Sequence, residues 1–574
     1  MKKTVMLSVM VWAFMLSFST AFCWAFGEIQ FAVFSDPHYY DSSLGTTGSA
    51  FEDYLMQDRK LLRESEAILQ ATLQSILSQP QKPQFVLIPG DLTKDGERSS
   101  HEEAAAYIRQ LEDNGIKAYV VPGNHDINNP DAYRYLGDVV EPVETVSPER
   151  FALLYSDFGY DEALSRDPSS LSYVAEPASG LWLFALDSCV YEDNVDLGLP
   201  VTAGRFSKRT LNWIFEMLSK AKAQGKKRIG MMHHGLVEHY IGQSLFFSDY
   251  LVQDWQTLSW ILAKAGMQMV FTGHYHAQDA VQKSWDENGR TMTLFDVETG
   301  SLVTYPNPYR TVTLSQDNVM TIRSEFITDI DYDIGNKTFP EYAKEFTSEG
   351  VLLLAFQILT LPPSEGGFGL DPDDPLTAEI ADEAAAAIMA HYEGDEKVSP
   401  QHLSAILSYL KNDELVVKAL GAALLLLWKD PAPGDTDPTI TLDTLTSPYN
   451  RIFCATLGDN ANPSRLGTDT FTFTGQASET ITIHLNAFPL SGGKRKRATL
   501  MLRSASTKTP LLVIDRGTLP NMVTATLPAS GVYNIKVVQQ AETALGQSYK
   551  GDYFIELEAS AETCQSLAPT SQVE

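Results

Sequence analysis

The chain runs to 574 residues, 44 % of them apolar, which is more than one core usually serves, so two to four domains are expected. Its formal charge of −30, from 43 Lys and Arg against 73 Asp and Glu, disfavours a basic face for polynucleotides and reads as solubility outside the cell. Four cysteines, at 23, 189, 454 and 564, are too few for a disulfide scaffold and match no zinc-knuckle spacing.

In chain order, Lys2 and Lys3 precede an apolar stretch from Val5 to about Phe22, with small residues before Gly27 and Glu28. Residues 1–25 read as a secretory signal peptide cleaved after Ala25, so the protein is expected to be exported, whether periplasmic, cell-surface or extracellular. An uncleaved anchor is the alternative, because the stretch approaches the ~18–20 residues that span a bilayer. Lipoprotein processing at Cys23 is disfavoured by Phe22, which stands where a small residue is needed.

From Glu28 to about Tyr342, apolar strands alternate with helical stretches at 61–78, 102–114 and 208–224, the pattern of an α/β layered domain over 28–342. Segments 291–299, 309–315 and 318–326 alternate with period two and suggest an antiparallel closing section, so the sheet is expected to be mixed. Residues 343–428 change to apolar-striped helices, a helical appendage that can cap a site or pack beside it; packing beside it is the expectation. The Pro- and Asp-rich stretch from 429 reads as a linker reaching 445, which implies an independently folding C-terminal region. Seven short alternating strands between 469 and 559 predict an all-β sandwich over 446–564, with 565–574 as a frayed tail. Cys454 and Cys564 bracket that region, and an exported protein can join them, so their pairing stays open; Cys189 reads as a small buried hydrophobe.

Five apolar runs, 29–35, 85–90, 118–123, 228–232 and 267–273, each end in a polar motif: SDPH, GDLTKDGE, GNHD, MMHHG and GHYHA. Ligands in open α/β sheets bind beyond the carboxyl ends of such strands, so Asp36, His38, Asp91, Asn124, His233, His274 and His276 are expected to converge. Six of the eleven histidines lie in these motifs, a concentration that core packing does not explain. A dinuclear site needs a shared ligand between ions about 3.5–4 Å apart, and Asp91 is the natural bridge. Asp36, His38 and His276 can serve one ion, and Asn124, His233 and His274 the other, with the two histidines of GHYHA facing different ions if the turn is irregular. Imidazole and carboxylate suit Mn, Fe or Zn alike, as two divalent or mixed-valence ions. His101 and His239 are expected to be structural.

The ordered set D-x-H, GD, GNHD, H and GHxH resembles the calcineurin-like metallophosphoesterase superfamily over about 28–315. That resemblance implies a mixed two-sheet β-sandwich flanked by helices, with metals at the strand ends. It also implies hydrolysis of a small phosphate ester by attack of a metal-bound hydroxide. His234 is then the less favoured of its doublet, His125 a general acid toward the leaving oxygen, and Asp126 the carboxylate that orients it. Lys94 stands where the family's purple branch has tyrosine, which argues against a tyrosinate–iron centre. The C-terminal strands resemble bacterial pre-peptidase C-terminal sandwiches over about 446–560; that implies a role in secretion, cell-surface or matrix attachment or substrate adhesion, with a folded spacer as the alternative, and no proteolysis, because HExxH and G-x-S-x-G are absent. Two alternatives stand beside phosphomonoester hydrolysis: cyclic-nucleotide or glycerophosphodiester cleavage, and a non-catalytic surface binding protein.

Overall fold

The computed structural model describes residues 27–570 except 59, 288, 395, 444–448, 458–467, 488–496, 508 and 540–550. The expected signal peptide, Cys23 and the last four residues lie outside the described residues, among which no helix is long and apolar enough to cross a membrane.

Two mixed sheets organise the first half. One holds β1 (Ile29–Val33), β2 (Phe85–Ile88) and β3 (Lys117–Val120) in parallel; the other is built around the parallel set β6 (Leu181–Leu186), β7 (Lys227–Met232) and β8 (Met269–Thr272). β4 (Ser165–Arg166) and β5 (Tyr173–Ala178) extend the second sheet at one edge, and the hairpin β9 (Asp279–Glu287) and β10 (Arg290–Glu298) closes the other. A second hairpin, β11 (Pro308–Leu314) and β12 (Val319–Phe326), adds to the first sheet, where β11 runs antiparallel to β1. The period-two segments thus close both sheets.

Alternation along the strands decides what each face buries. Leu183, Ala185, Met231 and Phe271 join Phe31, Leu87 and Val120 of the facing sheet in one core. Their neighbours Phe184, Leu186, Met232 and Val270 point the other way, onto Leu211, Ile214, Phe215 and Leu218 of a helix, Lys208–Ala223, and Leu258 and Ile261 of another, Trp255–Ala265. The spacing of those four leucine, isoleucine and phenylalanine positions is one helical stripe, and Ser207 caps that helix by accepting from the Thr210 N–H.

Four helices follow: α1 (Phe339–Thr360), α2 (Pro375–Glu393), α3 (Pro400–Tyr409) and α4 (Leu415–Leu427). A capping box on Thr338 and Glu341, and caps by Asp374 and Ser399, start the first three, each with Pro in its first turn. Their apolar faces share a core with Tyr240, Tyr275 and Ala277 of the loops that follow β7 and β8, which ties the appendage to the carboxyl ends of the second sheet.

The segment expected to be a linker is docked. β13 (Thr439–Thr441) pairs with β12 as an edge strand and buries Ile440. Upstream, the Ala280 N–H donates to Asp435 (2.9 Å) and the buried Arg310 guanidinium donates to the Asp435 carbonyl (2.6 Å). Proline and aspartate leave no regular strand before 439, yet the Ile322 and Ser324 N–H groups of β12 still donate to the carbonyls of Pro438 and Thr436, both at 3.0 Å.

The C-terminal region forms two antiparallel sheets. One orders β14 (Tyr449–Leu457), β21 (Gly551–Ala559), β16 (Thr480–Ala487) and β19 (Asn521–Thr526). The other orders β18 (Leu512–Thr518), β17 (Arg497–Ser504), β20 (Gly531–Gln539), β15 (Thr468–Gly475) and β22 (Ala568–Pro569). Phe471, Ile483, Leu502, Ile535 and Leu557 fill the core between them. Two expectations are corrected. The region does not hang free: Ile452, Cys454 and Phe554 are buried in the helix-covered core of the second sheet, Asn212 bonds both backbone groups of Cys454 (2.7 and 3.0 Å), and Lys264 meets buried Glu556 at 2.7 Å. Residues 565–570 are not frayed either, since Leu567 is buried and β22 pairs with Phe471 and Thr472. Cys189, Cys454 and Cys564 are free thiols; Cys454 faces the helices, whereas Cys564 faces the core between the two sheets, so no bridge joins them.

Candidate metal centre

Each of the five motifs leaves the carboxyl end of its strand. β1, β2 and β3 deliver Asp36 and His38, Asp91, and Asn124 and His125 from one sheet; β7 and β8 deliver His233, and His274 and His276, from the other. The site therefore lies on the seam between the sheets. Ten described non-glycine residues have positive φ, and five of them are Asp36, His38, Asp91, His274 and His276. Such backbone costs free energy and clusters where function requires a particular aim of the side chain. The GHYHA turn is irregular at both histidines, as their facing different donor groups requires.

Two donor sets meet at one carboxylate. Asp36, His38, Asp91 and His276 present ligand atoms within 4.8 Å of one another, and so do Asp91, His233 and His274. In the first set the Nε2 atoms of His38 and His276 are 3.2 Å apart, and His276 Nε2 lies 3.6 Å from Asp36 Oδ1. Asp91 Oδ2 stands 3.6 Å from His38 Nε2 and 3.3 Å from His233 Nε2. Asn124 Oδ1 is 3.0 Å from His233 Nε2 and completes the second set. His233 Nδ1 donates to the Pro89 carbonyl (2.9 Å), which turns the Nε2 lone pair inward. Hard oxygens and imidazoles without a thiolate, with one carboxylate common to both sets, suit two first-row transition ions.

Two glycines admit this packing. A Cβ on Gly123 would stand 2.0 Å from Asp91 Oδ1, and one on Gly273 would stand 2.3 Å from Asp36 Oδ2. The glycines of GNHD and GHYHA are thus where the carboxylates lie against bare backbone.

Burial dominates the electrostatics. It pushes the Asp36 carboxyl up to about 7, against the pull of His233. It would raise Asp91 too, but His233, His125 and His38 hold that carboxyl well below the ordinary range, and Asp91 in turn lifts His233 to about 9 despite burial. Burial keeps His38, His274 and His276 below the usual imidazole value, neutral and with lone pairs to give. His234 is pinned between Ser188 Oγ and the Thr202 carbonyl, both at 2.8 Å, and its value falls to about 3 through burial, so it stands as a structural neighbour of His233. His101 bonds Tyr155 and the Asp126 carbonyl in the interior, and His239 lies buried among Asp279, Asp296 and Glu298.

His125 stands beside the donors, 21 % exposed, with Nε2 4.0 Å from Asp91 Oδ2. Asp126 does not orient it. The Asp126 carboxylate accepts from the backbone N–H groups of Leu92, Thr93 and Gly123 and from the Thr93 hydroxyl, so it fixes the loop instead. The orienting group is Asp95, whose Oδ1 accepts from His125 Nδ1 at 2.8 Å. Asp95 is held in turn by buried Lys94, whose ammonium rests 3.9 Å from the centre of the Tyr54 ring. Burial and Lys60 would lower His125, but Asp91 and Asp95 raise it above the ordinary histidine value. The available signal was the second carboxylate of GDLTKDGE, four residues after Asp91.

A cavity of about 340 Å³ opens onto Asp91, Asn124, His125, His274 and His276. The helical appendage does not merely pack beside it: Val351, Leu354, Ala355 and Ile358 of α1, with Ile388 and Tyr392 of α2, form its roof. Lys60, whose Nζ is 3.2 Å from Asp58 Oδ2, lines another wall. Lys60 lies in a segment without a motif, and for the helices of the roof capping was the less favoured of the two expectations. A larger cavity, about 1210 Å³, has walls rich in glutamine, including Gln30, Gln70, Gln74 and Gln79, and touches none of the donors.

Residues 29–278 match the family model of the calcineurin-like phosphoesterases. No curated protein matches the chain. Among solved structures, GAP50, the anchor in the inner membrane complex of Plasmodium, is similar over 53 % of this chain and 87 % of its own, at 13 % identity and a TM-score of 0.28. PliG of Aeromonas hydrophila, a periplasmic inhibitor of g-type lysozyme, is similar over 21 % of this chain and 93 % of its own, at 14 % identity and a TM-score of 0.15. PliG of Salmonella Typhimurium is similar over 21 % of this chain and 96 % of its own, at 16 % identity and a TM-score of 0.14. Likeness at this level carries no functional information.

Proposed function

We propose that the protein is an exported, metal-dependent hydrolase of phosphoric esters that uses a dinuclear centre bridged by Asp91. The observation that carries this reading is the shared carboxylate: Asp91 belongs to both donor sets, within 4.8 Å of every member of each. The family match over residues 29–278 supports the same chemistry. Asp36, His38 and His276 would hold one ion, and Asn124, His233 and His274 the other. Two such ions supply Lewis acidity toward phosphoryl oxygens and lower the pKa of an attacking water.

The chain's own residues do the rest. His233 offers Nε2 because its Nδ1–H donates to the Pro89 carbonyl. His125, oriented by Asp95 and raised toward the protonated form, donates its Nε2 proton to the departing oxygen. Lys60 places positive charge at the wall, and α1 and α2 roof the donors with apolar side chains. Export is inferred from the N-terminal sequence, and surface or matrix attachment is the role assigned to the C-terminal sheets. The test is turnover of 4-nitrophenyl phosphate and bis(4-nitrophenyl) phosphate with Mn, Zn or Fe(II), in wild type and Asp91→Asn. We expect Asp91→Asn to lose most turnover and to fall from about two bound ions toward one. Full turnover in that variant refutes the bridge, and the ratio of the two substrates decides between monoester and diester.

A further inference from the structure

We propose that the substrate is a phosphoric ester bearing an extended apolar group, which lies beneath α1 and α2 while its phosphate meets the donors. This deepens the phosphoesterase reading and rests on it. The cavity is divided chemically. Part of its lining is polar: Asp91, Asn124, His125, His274 and His276, with Lys60. The roof contributes Val351, Leu354, Ala355, Ile358 and Ile388, which offer a phosphate no hydrogen bond.

Phosphate alone leaves that apolar roof wet. The cavity's volume of about 340 Å³ falls at the small end of pockets that enclose organic ligands, roughly 300–1,000 Å³. An alkyl or aryl group there displaces water from apolar walls, the arrangement that burial rewards. Segments that reach the cavity also carry exposed apolar side chains. Leu354, 46 % exposed, stands at the roof. Leu199 precedes wall residue Pro200, and Phe246 precedes wall residue Phe247; both are about half exposed, as are Leu197 and, to a greater degree, Leu245. The chain's acidity gives no attraction for the organic part, so selectivity in this cavity resides in burial.

The test is calorimetric titration of the metal-loaded protein with ethyl, butyl, hexyl, octyl and decyl phosphate, each below its aggregation concentration, with the corresponding alcohols as controls. Affinity should rise about twofold to fourfold per methylene until the cavity is filled, then flatten. Leu354→Asp should lower the octyl-to-ethyl affinity ratio by at least about tenfold, and Leu354→Ser, a milder change at a half-exposed position, should lower it by less. Affinity independent of chain length overturns the inference, as does an unchanged ratio in a folded Leu354→Asp protein. Turnover of nitrophenyl esters without chain-length dependence removes this inference and leaves the phosphoesterase reading standing. Chain-length dependence without turnover removes that reading and supports the apolar pocket.

Discussion

Gly123→Ala is the sharpest probe of the centre, because the residue it changes has no side chain and no chemical role. Gly123 does not adopt a positive φ, so alanine suits its backbone conformation. The new methyl, however, would stand 2.0 Å from Asp91 Oδ1 and 2.2 Å from the Asp91 backbone nitrogen, where ordinary contact is 3.4–4 Å. The carboxylate must retreat by about 1.4 Å and the Asp91 backbone must shift with it, and a misplacement of about 1 Å at a reacting centre already costs about 10²-fold. The retreat also breaks the bond from the His125 N–H to Asp91 Oδ1, now 3.0 Å. We expect kcat/KM on a nitrophenyl ester to fall at least about 10²-fold and bound metal to fall toward one ion per chain. Overpacking of this size should cost about 1–3 kcal/mol in chemical denaturation, leaving the chain folded. Gly115→Ala is the control: its φ of +78° strains an alanine, but nothing lies within 4 Å, so it should lose about 1 kcal/mol and no activity. Wild-type turnover with two ions bound in Gly123→Ala would refute the placement of Asp91.

Three further outcomes rest on the same geometry. His125→Ala should keep both ions, lose modestly on nitrophenyl esters and lose up to about 10²–10⁴-fold on alkyl esters, whose leaving oxygens need the proton; equal loss across leaving groups, or loss of a metal, contradicts the role. Lys264→Met strands the buried Glu556 carboxylate, 2.7 Å from the ammonium, and should cost about 3–5 kcal/mol in a urea titration; for the same reason a chain ending near 442 should be less stable, and unchanged stability of either protein contradicts a docked C-terminal region. His239 is lowered by burial but carried well above the ordinary imidazole value by Asp279 and Asp296, with Glu298 also facing it. A raised value means stability fully present below the unfolded pKa of about 6.5 and lost as pH rises through the folded value, so denaturation midpoints should fall toward alkaline pH and His239→Gln should flatten that slope; equal slopes in the two proteins would show that His239 is not charged in the fold.

How much of this was legible in the sequence depends on how local each signal was. The parallel strands announced themselves as apolar runs because both faces are buried, as at β6 to β8. The donors were legible for the same reason: each sits within five residues of a strand end, so chain order alone placed it. β14 was missed although it has the same construction. Its Ile452 and Cys454 face the helices, its Phe453 and Ala455 face the core between the C-terminal sheets, and Asn450 and Arg451 interrupt the run. Asp126 was misassigned because adjacency in sequence stood in for proximity; the loop aims its carboxylate at three backbone N–H groups, while Asp95 approaches His125 from another strand's motif. The roof was misjudged because amphipathic helices announce that they bury a face without saying against what.

The strain at the donors bears on how the site survives without its ions. Five positive-φ residues at about 1–3 kcal/mol each store an amount comparable to the whole stability of a typical domain, about 5–15 kcal/mol. Bound metal alone need not impose it, because the turns are fixed from outside. The Asp36 and His38 N–H groups donate to the carbonyls of Gly90 (3.3 Å) and Asp91 (3.0 Å). The His274 N–H donates to Asp36, and Ser301 donates to the Asp36 carbonyl at 2.8 Å. Each strained turn is therefore braced by a neighbouring motif, so strain is distributed across two sheets whose shared core offsets it. A metal ion would enter a frame already aimed, which would reduce the ordering it must impose.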